Sequence, residues 1–134
     1  MMRRLSAIAL LLAAAGCTPP APSAPVADPN ARRFVVFFQQ WSAALDDPAQ
    51  AAIRAAADEL AAHPGERILV VGYADQTGSN KANDLLSALR AQVVTDGLVA
   101  DGVASSLIAL QGAGATNTLD SSQASRRVEI VTTR

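Results

Sequence analysis

The sequence has little of what most active sites are built from: 134 residues hold one cysteine, one histidine, one lysine and 4% aromatic residues. One cysteine closes no disulfide within the chain, and one histidine with one cysteine cannot supply an ordinary zinc site. His63 belongs to a helix-ending HPG, and no serine or cysteine stands in a recognisable nucleophile motif, so catalysis has no candidate group. Charge of one sign is lacking too. The formal net charge is −1, and without Arg3 and Arg4 there remain nine basic residues against twelve acidic, which excludes a nucleic-acid surface. The longest apolar run is eleven residues, short of the roughly 20 that a membrane-spanning helix needs.

That run is nevertheless informative. MMRR supplies a positive start, LSAIALLLAAA an apolar stretch, and the small residues Ala14, Ala15 and Gly16 precede Cys17 directly, so residues 1–16 are expected to be an export signal. The sequence before Cys17 resembles the lipobox of bacterial lipoproteins, with Ala14 where leucine is usual. The resemblance implies that Cys17 starts the mature chain, carries covalent lipid and anchors it to a membrane. The alternative is an ordinary secretory signal cut nearby, which leaves Cys17 as a lone thiol. Residues 17–33 hold five of the seven prolines and no apolar periodicity. They are expected to form a tether that reaches up to about 50 Å at 3.1 Å per residue.

From residue 34 to 134 the pattern is that of one domain. RFVVFF and RILVVGY are continuous apolar runs expected as strands. Between them lies a helix, with Asp47 as its cap, Pro48 in its first turn and HPG at its end; Ile53, Ala57 and Leu60 share its buried face. A second helix of about twenty residues ends near Gly102, with Leu86, Leu89 and Val93 as its expected buried stripe. SLIALQGAG and RRVEIVTT complete the order β-α-β-α-β-β. The expected fold is therefore α+β, an α/β sandwich with a mixed four-stranded sheet and helices on one side.

One stretch carries recognisable chemistry. Asp75 lies where a strand turns into the second helix, and Asn83, Ser87 and Arg90 follow at spacings of four and three, which places them on one face expected to look outward. A carboxylate and a guanidinium on neighbouring elements can hold a zwitterion by its ammonium and its carboxyl group. Spacing alone equally allows Asp75 to be a helix cap and Arg90 to be solvated or paired with Asp84.

The same stretch, VVGYADQTGSNKANDLLSALRAQVV, resembles the signature of the OmpA-like peptidoglycan-binding domain family, met at Gly72, Asp75, Gly78, Asn83, Leu86, Ser87, Arg90 and Ala91. Similarity extends over residues 34–132, including GAGAT and SRRVEIV. It implies that Asp75 takes the ammonium of diaminopimelate in the wall's stem peptide and that Arg90 takes its carboxylate. Asn83 would lie in the pocket and Arg127, from the arginine pair, beside it. The chain departs from the family at Tyr73 and Ala74, where histidine and threonine are usual, at Gln39, Gln40 and Trp41, and at Ser125, where asparagine is usual. A lone tryptophan is more often packing than a ligand wall. The resemblance implies an outer-membrane lipoprotein facing the periplasm, without a metal or other cofactor, whose partners are peptidoglycan and, through its lipid, the membrane. A protein–protein adaptor of an envelope complex on the same fold is the alternative.

Overall fold

The computed structural model describes residues 28–116 and 122–133. The expected export signal, Cys17 and most of the tether lie outside the described residues. The elements run β1 (Arg33–Phe37), α1 (Asp47–Ala61), β2 (Arg67–Ala74), α2 (Asn80–Ala100), β3 (Ile108–Ala115), a single-turn α3 (Ser122–Ser125) and β4 (Arg127–Thr133). The sheet has the order β1-β4-β2-β3, with β4 antiparallel to both neighbours and β2 parallel to β3. This is the mixed four-stranded α+β sheet expected from the sequence; α3 is an element beyond the expected order.

β1, β2 and β4 form because their apolar residues are β-branched or aromatic and their inward positions, Val36, Ile68, Val70, Val128 and Ile130, bury against Ile53, Ala57 and Leu60 of α1 and Val94 and Leu98 of α2. The cap of α1 lies one residue earlier than expected, at Asp46 instead of Asp47. Asp46, in extended conformation, accepts the Ala49 N–H at 2.9 Å, while Asp47 is already helical and places its charge in the first turn.

The facing of α2 is the main correction. Of the expected stripe, Leu86 and Val93 are only half-buried and Leu89 is 53% exposed, with neighbouring Leu85 at 64%, whereas Asn83, Ser87, Arg90, Ala91, Val94, Thr95 and Leu98 make the buried stripe. The side expected to look outward looks inward. The cause is steric: a Cβ on Gly72 would lie 1.9 Å from the Ser87 carbonyl oxygen and 3.2 Å from the Ala91 Cβ, and one on Gly112 would lie 2.7 Å from the Ala88 nitrogen. The first half of α2 rests almost on the sheet backbone, where only small residues fit and leucine is forced out. Ser87 uses the contact, accepting the Gly114 N–H at 2.8 Å and donating to the Asp84 carbonyl at 2.9 Å.

Candidate binding site

The carboxyl end of β2 and the loops around it carry the charged groups. β2 ends at Ala74, and Asp75 begins the turn into α2, whose first N–H groups are capped by Ser79 accepting from Ala82 at 3.2 Å. The turn closes on the Asp75 side chain: Oδ1 accepts the Thr77 N–H at 3.1 Å and also the Thr77 hydroxyl. Although the family's threonine before this aspartate is Ala74 here, a hydroxyl still reaches the carboxylate, from two residues after it. Oδ2 pairs with Arg126 Nη1 at 3.1 Å. Burial pushes the Asp75 carboxyl up, but the Thr77 hydroxyl, the Thr77 N–H and Arg126 outweigh it and hold the group below the usual carboxylate range. The group is therefore an anion although only 6% of the residue is exposed.

Arg90 reaches the same region from α2 and is entirely buried. Its Nε donates to the Ser42 carbonyl at 2.8 Å, Nη1 to Tyr73 at 3.0 Å and Nη2 to Gln39 at 2.9 Å, and its guanidinium lies 5.3 Å from the Phe38 ring centroid. One planar fork thereby ties the β1–α1 loop to the end of β2. Burial pushes the Arg90 guanidinium down from its usual value, the Asp75 charge opposes that, and the Arg126 charge adds to it. Asp75 and Arg90 are thus brought within electrostatic reach, but only Asp75 is near the surface in a form that can take a further donor.

Arg126 fills the place expected for Arg127. Its Nε donates to the Phe38 carbonyl at 3.3 Å and Nη2 to Gln123 at 2.5 Å; with the Asp75 pair, three of its five N–H groups are bonded among the described residues. Arg127 lies on the other face of the sheet, with its guanidinium 4.0 Å from the Tyr73 ring centroid and Nε 3.0 Å from Glu129 Oε1. Strand alternation accounts for the swap. Val128 and Ile130 face the helices, so the even-numbered Arg126 shares their side and Arg127 does not. Tyr73, which replaces the family's histidine, is by the same parity on the Arg127 face, and contributes only its carbonyl to the Arg90 fork. Asn83 is buried on the first turn of α2, and its Oδ1 has no hydrogen-bond partner among the described residues.

The rim is completed by Trp41. Its ring stands against Gly78, where a Cβ would lie 2.2 Å from Cη2, and the residue is still 53% exposed. Open grooves exist elsewhere, including one of about 320 Å³ bordered by Leu60, Ile68, Val103 and Leu107 at the far end of β2, away from Asp75 and Arg90. Among the described residues no group of acidic, histidine or cysteine side chains could hold a metal ion, and no helix is long and apolar enough to cross a membrane.

Comparison with known proteins agrees with this architecture. A family model described as the OmpA family matches residues 37–130. The chain is similar to the peptidoglycan-binding protein ArfA of Mycobacterium tuberculosis strain H37Rv, 47% identical over 81 residues that cover 56% of this chain and 25% of that protein. It is also similar to the probable lipoprotein YiaD of Escherichia coli K12, 35% identical over 101 residues, 71% of this chain and 46% of that one. The chain thus spans from a quarter to just under half the length of these curated relatives. Among solved structures, the peptidoglycan-associated lipoprotein from Burkholderia pseudomallei superposes with a TM-score of 0.67 at 27% identity, covering 75% of this chain and 90% of that one. The OmpA-like domain of FopA1 from Francisella tularensis gives 0.70 at 27% identity, covering 75% and 71%.

Proposed function

The chain belongs to the OmpA family, and on that premise we propose that it binds peptidoglycan non-covalently and, through lipid on Cys17, holds a membrane, the outer one, close to the wall. It acts as a binding module and not as an enzyme. The observation that carries this is the Asp75 carboxylate, kept charged at the mouth of a turn by Thr77 and Arg126. Relatives whose names state peptidoglycan binding or association lend support, ArfA by sequence and the Burkholderia protein by structure.

In this reading the ammonium of a stem-peptide diaminopimelate sits on Asp75. The adjacent carboxylate turns to the two remaining N–H groups of Arg126, a fork suited to two-point recognition. Arg90 lies behind the pair as a second positive charge and fixes the loops that frame it, and Asn83 offers its Oδ1 to an N–H of the ligand. The zwitterion clamp inferred from the sequence is kept in this reading, with the ligand-facing cation moved from Arg90 to the partly accessible Arg126 and Arg127 left to structure.

Co-sedimentation of the full chain with purified sacculi tests the reading: the parent is expected in the pellet, and Asp75→Ala in the supernatant. Equal sedimentation of parent and Asp75→Ala would remove the site assignment; a parent that stays in solution would favour the adaptor of an envelope complex. For the anchor, blocking the lipoprotein signal peptidase with globomycin should accumulate uncleaved precursor, and normal processing would rule out acylation of Cys17.

A further inference from the structure

Trp41 breaks a local rule at the edge of the site. The Ser42 N–H closes on the Gln39 carbonyl at 3.2 Å, so residues 39–42 form a tight turn with Trp41 at its third position and φ at 54°. Turns of this kind take glycine or asparagine there, because a left-handed backbone crowds a large side chain. Trp41 is the only non-glycine residue with positive φ among the described residues, and it is the chain's only tryptophan. Arg90 holds the conformation by gripping the carbonyls of Gln39 and Ser42 on either side of it. The indole is not spent on the core. One edge rests on Gly78, three residues beyond Asp75, and half of the residue faces solvent. A disfavoured backbone enforced by a buried side chain, used to stand an aromatic ring at a binding rim, is the kind of conflict that marks a functional position.

We propose that the exposed indole face of Trp41 is a platform for a pyranose ring of the peptidoglycan glycan strand, beside the peptide subsite at Asp75. This rests on the peptidoglycan-binding reading above. The chemistry fits, since an amino-sugar ring presents a face of C–H groups that packs on an electron-rich aromatic face, while its hydroxyl and acetamido groups stay in water. The reach fits as well. Gly78, on which the ring rests, is at most about 10 Å of extended chain from Asp75, and the two stem-peptide residues between a diaminopimelate and the sugar span about 7 Å, to which the lactyl link and the sugar ring add roughly another 5 Å. A ligand anchored by its third residue at Asp75 can therefore lay its sugar across the indole without bending the domain.

The single tryptophan makes the test direct. The full chain, in mild detergent, is titrated with two soluble ligands, a disaccharide carrying the stem peptide and the same stem peptide without sugar, while tryptophan emission and calorimetric affinity are followed. The disaccharide ligand is expected to shift Trp41 emission and the free peptide to leave it nearly unchanged. Trp41→Gly, which suits the turn and so keeps the fold, should weaken the disaccharide ligand about five- to tenfold and the free peptide less than about twofold. Trp41→Phe should restore most of the loss. If Trp41→Gly weakens both ligands equally, or neither, the platform is refuted while the peptide site stands. If the parent binds neither ligand, the peptidoglycan-binding reading fails and the platform with it.

Discussion

Replacing Arg90 by lysine separates two roles that the sequence left merged, a charge near Asp75 and a fork that fastens loops. Lysine keeps the charge and the stem, but one nitrogen cannot reach the carbonyls of Gln39, Ser42 and Tyr73, which Arg90 meets at 2.8 to 3.0 Å from three separate nitrogens. A hydrogen bond from a charged donor is worth about 1.5–3 kcal/mol. Losing two of three in a contiguous network is not additive, and Gln39 and Ser42 lie in a loop that regains water as it loosens. The expected cost of Arg90→Lys is therefore about 2–3 kcal/mol, and that of Arg90→Ala about 3–5 kcal/mol, as for a broken buried pair. With a urea m-value of about 1.3 kcal/mol per M for a domain of this size, the lysine variant should unfold about 2 M earlier. Emission of Trp41 should red-shift before the main transition, because its turn is the one released. A midpoint within about 0.3 M of the parent would refute the fork and return Arg90 to the role of a simple charge.

Other expectations follow from the same contacts. Because Asp75 titrates below its ordinary value in the folded state, its contribution to stability is complete above the unfolded pKa of about 3.9 and is lost as pH falls through the lowered native value; Asp75→Asn should flatten acid unfolding below about pH 4. Thr77→Val removes the hydroxyl donor and should raise the Asp75 carboxyl towards its ordinary value, which a carboxyl-carbon NMR titration reads directly. Gly72→Ala puts a methyl carbon 1.9 Å from the Ser87 carbonyl oxygen, so α2 must lift; a loss of about 3 kcal/mol is expected by thermal unfolding, and a loss below about 1 kcal/mol would show that the contact yields. Ser87→Ala leaves the buried Gly114 N–H without its acceptor and should cost about 1–2 kcal/mol, with faster exchange at the Gly114 amide.

What the sequence made legible, and what it did not, divides along physical lines. β1, β2, β4 and α1 were readable because burial there selects large apolar residues in unbroken or periodic runs, and because Pro48 and Gly65 mark the ends of α1, although the cap itself is Asp46 and not the expected Asp47. The facing of α2 was not, because the pattern of leucines is a signal of burial only where there is room for leucine. Against Gly72 and Gly112 there is none, and serine, alanine and a buried arginine take the inner side. Arg126 could have been found by counting parity back from Val128 and Ile130, a signal present in RRVEI. Trp41 could not, since nothing in QQW announces a left-handed turn; its conformation is imposed from 48 residues away, by Arg90 on the Ser42 carbonyl.

The eight-position match that identified the site now has a different physical content from the one its spacing suggested. Gly72, Ser87 and Ala91 are one contact, the point where helix and strand touch. Gly78 leaves space for the Trp41 ring, and Arg90 binds the two loops together at their carbonyls. Most of the motif is therefore framework, and its rigid spacing serves to place one carboxylate, Asp75, at a defined height above a turn with Arg126 beside it. In the proposed reading, recognition takes two opposite charges, of which the motif supplies Asp75, while its Arg90 is wholly enclosed. The second in that reading comes from Arg126, just before β4 and outside the motif, so the charge pair forms only when the last strand has paired into the sheet between β1 and β2. Binding should then be lost in step with any change that loosens β4, even one that leaves every residue of the motif in place.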